Sequence, residues 1–417
     1  MAGGARAAPT AVGLGLGLLV AAGCGDDYRY TADPYRPDSP WADVLQPCLQ
    51  AGPRESTPDE ACTWGELPPI GDGAPRPTID DVMDRVVVSH TWMGDNFRRY
   101  LEVMPPEILP LFGSVTGVVI AWDIRPSHFR ASTGGLYLDA GVFWLTRDEL
   151  EQVSDEPDYR AGFGAVLPFR FGARLVRGGE RLVVRYDEDG RRSFEDMQPL
   201  VARLLVHELA HAMDYLPLAR IPALDASARI DTRRFELAEA LDGTRPLAST
   251  PLRELADVLY RGDEATEAQR QVEPAQVGAW FAGDGASHMY AYASPLEDLA
   301  MLYESVWMQR YYDVDWEVAV TSTASEAFPD VTIAWGELGR IAAPSVLPRA
   351  GHVVELVDAP DAAALNAHLE GLLPPVPLVP GSRWSSPARA VGGLSRSGEV
   401  GGWSVPAEAI FRRHPLR

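Results

Sequence analysis

Residues 207–211 read His207-Glu208-Leu209-Ala210-His211. On a helix, positions i and i+4 share a face, so both imidazoles can reach one tetrahedral cation. Glu208 is rotated one position toward the substrate side, where a carboxylate can take a proton from an attacking water. The chemistry that suits this spacing is metal-assisted hydrolysis. An ordinary surface helix with two chance histidines would not carry Leu204, Leu205, Val206, Leu209 and Met213 around them.

A single catalytic Zn2+ needs a third protein ligand and leaves its fourth position to water. Residues 212–220 (AMDYLPLAR) contain neither a glycine nor a third histidine. A glutamate from a later helix is the other standard solution. Glu297 is the best candidate, in Tyr290-Ala291-Tyr292-Ala293-Ser294-Pro295-Leu296-Glu297-Asp298. Ser294 and Glu297 also have the spacing of a capping box, in which the glutamate reaches back to the serine N–H. Both readings stand at this stage, with the ligand role favoured, and Glu304 two turns later is the reserve ligand. Asp214 lies three residues past His211 and either orients an imidazole or caps the helix end. Asp298 is the other candidate for backing a ligand, with a solvated surface role as the alternative. His90, His128 and His288 are lone histidines, of a kind more often structural than ligating. Tyr137 and Trp144 read as core or groove-wall residues.

These motifs resemble those of the gluzincins, zincin metallopeptidases whose third ligand is a glutamate, and most closely those of the lethal-factor type. That type carries a His-Glu-x-x-His-Ala-x-Asp helix, matched here by His207 to Asp214. It also carries a tyrosine seven residues before the ligand glutamate, the spacing of Tyr290 and Glu297. The resemblance implies one zinc ion on His207, His211 and Glu297, with Glu208 as general base. It assigns Tyr290 to the oxyanion, with Tyr292 a weaker competitor. It extends at most from the strands near Ser114 to the helix ending near Gln309. It implies an α+β zincin-like fold: a twisted mixed sheet over the motif helix, with a helical C-terminal lobe.

The elements that must hold these residues are legible as changes of period. A helical pattern runs from Ile79 to about Met104 and stops at Pro105-Pro106. Ser114 to Ile124 and Gly135 to Thr146 read as strands, the second being the expected edge against which an extended peptide would pair. Arg174 to Tyr186 has the form of a hairpin about Gly178-Gly179. Phe194 to Leu216 is helical up to Pro217, and residues 222–270 suggest two or three surface helices. Ser294 then Pro295 is a strong helix start. Thr332 to Trp335 and His352 to Val357 read as strands.

The first residues form an address. Arg6 precedes a short apolar run, Ala11 to Ala22, that is too short to span a bilayer and has a secretory shape. It ends at Ala21-Ala22-Gly23-Cys24, which resembles a bacterial lipobox. Residues 1–23 are thus expected as a signal peptide and Cys24 as the lipidated anchor to the cell envelope. Cys48 and Cys62, close together in an exported Pro-rich stretch, suggest a disulfide. The remaining organisation is expected as a tether over 24–78, a catalytic domain over 79–315 and an extension of unassigned role over 316–417.

Of 417 residues, 46% are hydrophobic and 23% charged, which fits a globular chain. Every basic residue is arginine, and the net charge is −22. That balance disfavours nucleic acid as a partner. Two classes of function remain. One is a membrane-anchored, zinc-dependent endopeptidase acting on peptide or protein substrates. The other is a noncatalytic envelope lipoprotein that keeps the fold for binding or scaffolding, against which the presence of Glu208 argues. A metal-dependent hydrolase of non-peptide amides is a weaker third.

Overall fold

The computed structural model describes residues 31–52, 61–324 and 331–384. It is a mixed α+β molecule with two five-stranded sheets. The signal segment and Cys24 lie outside the described residues.

The first sheet has the strand order β1-β2-β3-β5-β4. Its strands are β1 (Asp33–Pro34), β2 (Val86–Val88), β3 (Val118–Ala121), β4 (His128–Arg130) and β5 (Gly135–Asp139). β2, β3 and β5 run parallel; β1 and β4 are antiparallel edges. The parallel strands are buried throughout, as expected for sheets covered on both faces. One face carries the helix α1 (Ala42–Cys48): Leu45, Cys48 and Leu49 pack on Val87, Val119 and Tyr137. Val86, Val118, Ile120 and Leu136 belong to the larger core, shared with Phe97 and Leu101 of α3 (Thr91–Val103). The short α2 (Ile79–Met83) precedes β2, closed by a capping box between Thr78 and Asp81.

A short α4 (Arg147–Leu150) and a loop lead to the second sheet, ordered β10-β9-β8-β6-β7. It comprises β6 (Phe169–Arg177), β7 (Glu180–Arg181), β8 (Val314–Ser322), β9 (Ile333–Leu338) and β10 (Val376–Pro377), all antiparallel. β6 and β8 pair along their whole length, from Phe169 opposite Ser322 to Arg177 opposite Val314.

Between β7 and β8 in sequence, inserted into the second sheet, comes the long helix α5 (Phe194–Tyr215), capped by Ser193. Its second half is buried on every side, so it reads as a central element rather than an amphipathic surface one. α6 (Glu236–Thr244), α7 (Thr250–Ala256), α8 (Glu267–Arg270) and α9 (Pro274–Gly283) follow. α10 (Pro295–Tyr312) packs against α5, and α11 (Leu347–Val357) and α12 (Ala362–Leu369) pack on α10.

Several expectations are corrected. The 24–78 tether is from residue 32 onward largely part of the fold, because Ala32, Leu45, Leu49 and Leu67 bury against the first sheet. The disulfide expected between Cys48 and Cys62 is present, with sulfurs 2.04 Å apart. The single helix expected over 79–104 is broken by β2: three consecutive valines fit a doubly buried parallel strand better than a helix interior. Residues 352–357 are helical within α11, not a strand, since Leu347-Pro348 opens a helix there. The boundary at 315/316 does not separate two bodies, because it cuts through β8, the central strand of the second sheet.

Candidate metal centre

The two imidazoles of α5 and the Glu297 carboxylate of α10 converge. One ligand atom from each of His207, His211 and Glu297 lies within 4.8 Å of the others. Glu297 Oε2 is 3.1 Å from His207 Nε2 and 3.5 Å from His211 Nε2. Ligands about 2.05 Å from a tetrahedral zinc ion stand roughly 3.3 Å apart, so these separations suit a shared cation. Two imidazole nitrogens and a carboxylate oxygen are also the donor set of the three-ligand catalytic zinc sites. The residues present therefore fit one such ion.

The capping alternative is resolved by where the carboxylate goes. Ser294 Oγ accepts from the Glu297 N–H and caps α10, but the Glu297 side chain turns to the histidines. Glu304, held in reserve as a ligand, is instead the partner of the far side of His207. Its Oε2 accepts from His207 Nδ1 at 3.0 Å and from Arg203 at 3.2 Å. Its Oε1 accepts from the Trp316 indole at 3.0 Å. Such a contact fixes the ring and aims Nε2 into the site. Arg203 and Trp316 were not singled out from sequence. Trp316 lies on β8, in the stretch expected to be an extension, and nothing local marks either residue.

The site is charged out of water. Burial pulls the His207 pKa down, but Glu297 and Glu304 outweigh it and hold it up at about 10. Burial pushes Glu297 up, yet His211 and His207 carry it well below the carboxylate range. A cation entering here replaces the proton on the ligating nitrogen, so binding and proton release are coupled. Glu208 is raised above the usual carboxylate range by burial, with the two histidines opposing.

The polar backbone of Phe129 also lies close to the Glu208 carboxylate and, like the histidines, opposes the rise caused by burial. Phe129 is the middle residue of β4, the edge strand. This corrects the expectation for residues 135–146. β5 is an interior strand, and β4 is the edge beside the motif helix. Tyr137 and Trp144 are core: Tyr137 bonds to the Leu49 carbonyl and stacks on His128, and Trp144 packs under Arg192.

Tyr290 sits in a short 3-10 turn just before α10. Its hydroxyl is 3.0 Å from Glu297 Oε1, and Arg160 NH1 lies 3.3 Å from the same hydroxyl. The Tyr260 ring packs edge-on at 4.9 Å. His288 accepts from the Tyr290 N–H through Nδ1 and so holds the turn rather than a metal. Tyr292 is directed away, to Asp284 at 2.9 Å.

The two supporting aspartates behave differently from expectation. Asp298 forms a bidentate pair with Arg349 and makes no hydrogen bond to His207 or His211. Asp214 Oδ1 accepts from Leu237 and Ala238 N–H, capping α6 instead of its own helix. Burial raises its pKa to about 6, with the Leu237 and Ala238 N–H groups and nearby His211 opposing. His90 bonds to Ser89 and takes no part in the centre.

Comparison with family models, with curated proteins and with solved structures finds no match to this chain.

Proposed function

We propose that this chain is a zinc-dependent peptidase of the zincin type, with a glutamate third ligand, exported and held at the cell envelope through Cys24. The observation that carries the reading is the single carboxylate oxygen of Glu297 placed against both motif imidazoles, with Glu208 beside it and unshared with any ligand.

His207, His211 and Glu297 would hold the ion. A zinc ion there supplies Lewis-acid chemistry, polarising a carbonyl and making water nucleophilic at neutral pH. Glu208 accepts the proton of the attacking water and returns it to the leaving amine. Burial favours this, because it brings the carboxyl nearer the operating pH. The Tyr290 hydroxyl donates to the oxygen that gains charge. An extended peptide adds to β4, whose Phe129 backbone already faces Glu208.

The test is zinc content and casein cleavage by the purified protein. One zinc per chain, together with cleavage lost on chelation and regained with zinc, is the expected result. A chain that takes up no zinc ends the reading. A zinc-loaded chain inert on casein and on random peptide libraries favours the noncatalytic alternative.

A further inference from the structure

The loop between α4 and β6 enters the site through one residue that the proposed chemistry has not used. Arg160 is partly buried, with a side-chain exposure of 22%. Asp158 occupies two of its guanidinium nitrogens: Oδ2 takes NH2 at 2.7 Å, and Oδ1 takes Nε at 3.1 Å. Asp158 Oδ1 also accepts the Arg160 N–H at 2.9 Å, which locks backbone and side chain together. The third nitrogen, NH1, is thereby presented to the Tyr290 hydroxyl at 3.3 Å.

The direction of the chain of donors follows from chemistry. Arginine has donors only, so NH1 donates to the phenol oxygen. The Tyr290 proton is then committed to its other neighbour, Glu297 Oε1, 3.0 Å away. A hydroxyl gripped on its oxygen by a fixed cation can turn only its proton. It moves that proton from Glu297 to a substrate oxygen without moving the ring. The planar fork fixed by Asp158 suits this better than a flexible ammonium would.

We infer that Arg160 is the positioning residue for Tyr290, holding its hydroxyl where it can be redirected from Glu297 to the reacting oxygen. The loop anchors the arginine from both flanks. Arg125 NH1 donates to the Glu156 carbonyl at 2.7 Å, and Phe163 packs closely on Gly262 beside Tyr260. The functional part of this inference rests on the peptidase reading; the grip on Tyr290 does not.

The experiment separates the two. Full-length protein is labelled with 3-fluorotyrosine, and the Tyr290 fluorine resonance is identified by its loss in Tyr290→Phe. In Arg160→Gln that resonance should shift and broaden, with no other tyrosine moved except Tyr159, whose ring the guanidinium covers, and Arg160→Lys should restore it in part. A Tyr290 resonance unchanged in Arg160→Gln overturns the inference, whatever the activity. Turnover of casein gives the second readout. Arg160→Gln and Tyr290→Phe should each lower kcat by about 10²-fold, with KM within about twofold. The double variant should be no worse than either, since both remove one device. Multiplying losses would mean that Arg160 acts on its own and would overturn the positioning role. A wild-type chain that cleaves nothing strikes the peptidase reading alone, and the fluorine result still decides the grip.

Discussion

Glu297 and Asp298 are neighbours in the first turn of α10, yet they serve two different buried polar clusters. Asp298 is 3% exposed and is satisfied by a bidentate contact from Arg349, which also reaches the Arg245 and Gly285 carbonyls. Asp284 nearby accepts from Ala248, Ser249, Gly285 and Tyr292. That cluster is closed: the donors and acceptors around these carboxylates match, so it fixes the approach of α11 to α10. Around Glu297 the match is of another kind. One carboxylate oxygen serves two imidazoles, and the side chain keeps 19% of its exposure. Buried polarity that completes itself stiffens a fold, whereas polarity that converges on one point still reached by solvent can hold a cation.

Five substitutions break or sharpen that contrast. Glu208→Gln should lower casein turnover by about 10³–10⁴-fold and leave zinc at one per chain, because an amide cannot accept the water's proton. Activity within tenfold of wild type would remove Glu208 from the mechanism. Next comes the pair on α10. Asp298→Ala strands the Arg349 charge and should cost about 3–5 kcal/mol in urea unfolding, with zinc unaffected in the folded protein. Glu297→Ala should lose the metal yet destabilise the metal-free chain by only about 1–2 kcal/mol, since His207 keeps its Glu304 partner in a half-open site. Zinc retained in Glu297→Ala would end the ligand assignment.

Glu304→Gln removes the charge behind His207 while keeping an acceptor. Zinc affinity, measured by competition with a chelator, should fall about 10–100-fold. An unchanged affinity would show that the Arg203–Glu304–Trp316 group only packs α10 on β8. The smallest effect is expected from Ser294→Ala. Losing the cap should cost about 1 kcal/mol of stability and nothing in zinc content. A loss of metal there would mean that the cap, and not the Glu297 side chain alone, sets the geometry.

The local patterns were those with a short physical range. The motif helix, its stop at Pro217 and the start of α10 at Ser294-Pro295 follow from periodicity and capping, which act within a few residues. The errors arose where burial overrode local pattern. Val86–Val88 looks like part of a helical run, but two buried faces make it a strand. Residues 32–51 look like a linker by their proline and aspartate content, yet a few apolar residues suffice to cover the first sheet. The expected edge strand was misplaced by one hairpin, because order within a sheet is not written in any single strand.

The same division runs through the centre itself. The amino-acid sequence alone determined that His207 and His211 share a helical face with Glu208 beside them, since 3.6 residues per turn leaves no other outcome. It narrowed the third position to Glu297 without separating ligand from cap. Only the tertiary structure turned that carboxylate away from the cap, by bringing α10 across α5 so that it met both imidazoles. It also decided the supporting cast. Glu304 stands behind His207, Trp316 arrives from β8, Asp298 is diverted to Arg349, and Arg160 reaches Tyr290 across 130 residues of chain. Contacts between distant segments depend on how whole elements bury their apolar faces, and no local spacing encodes that.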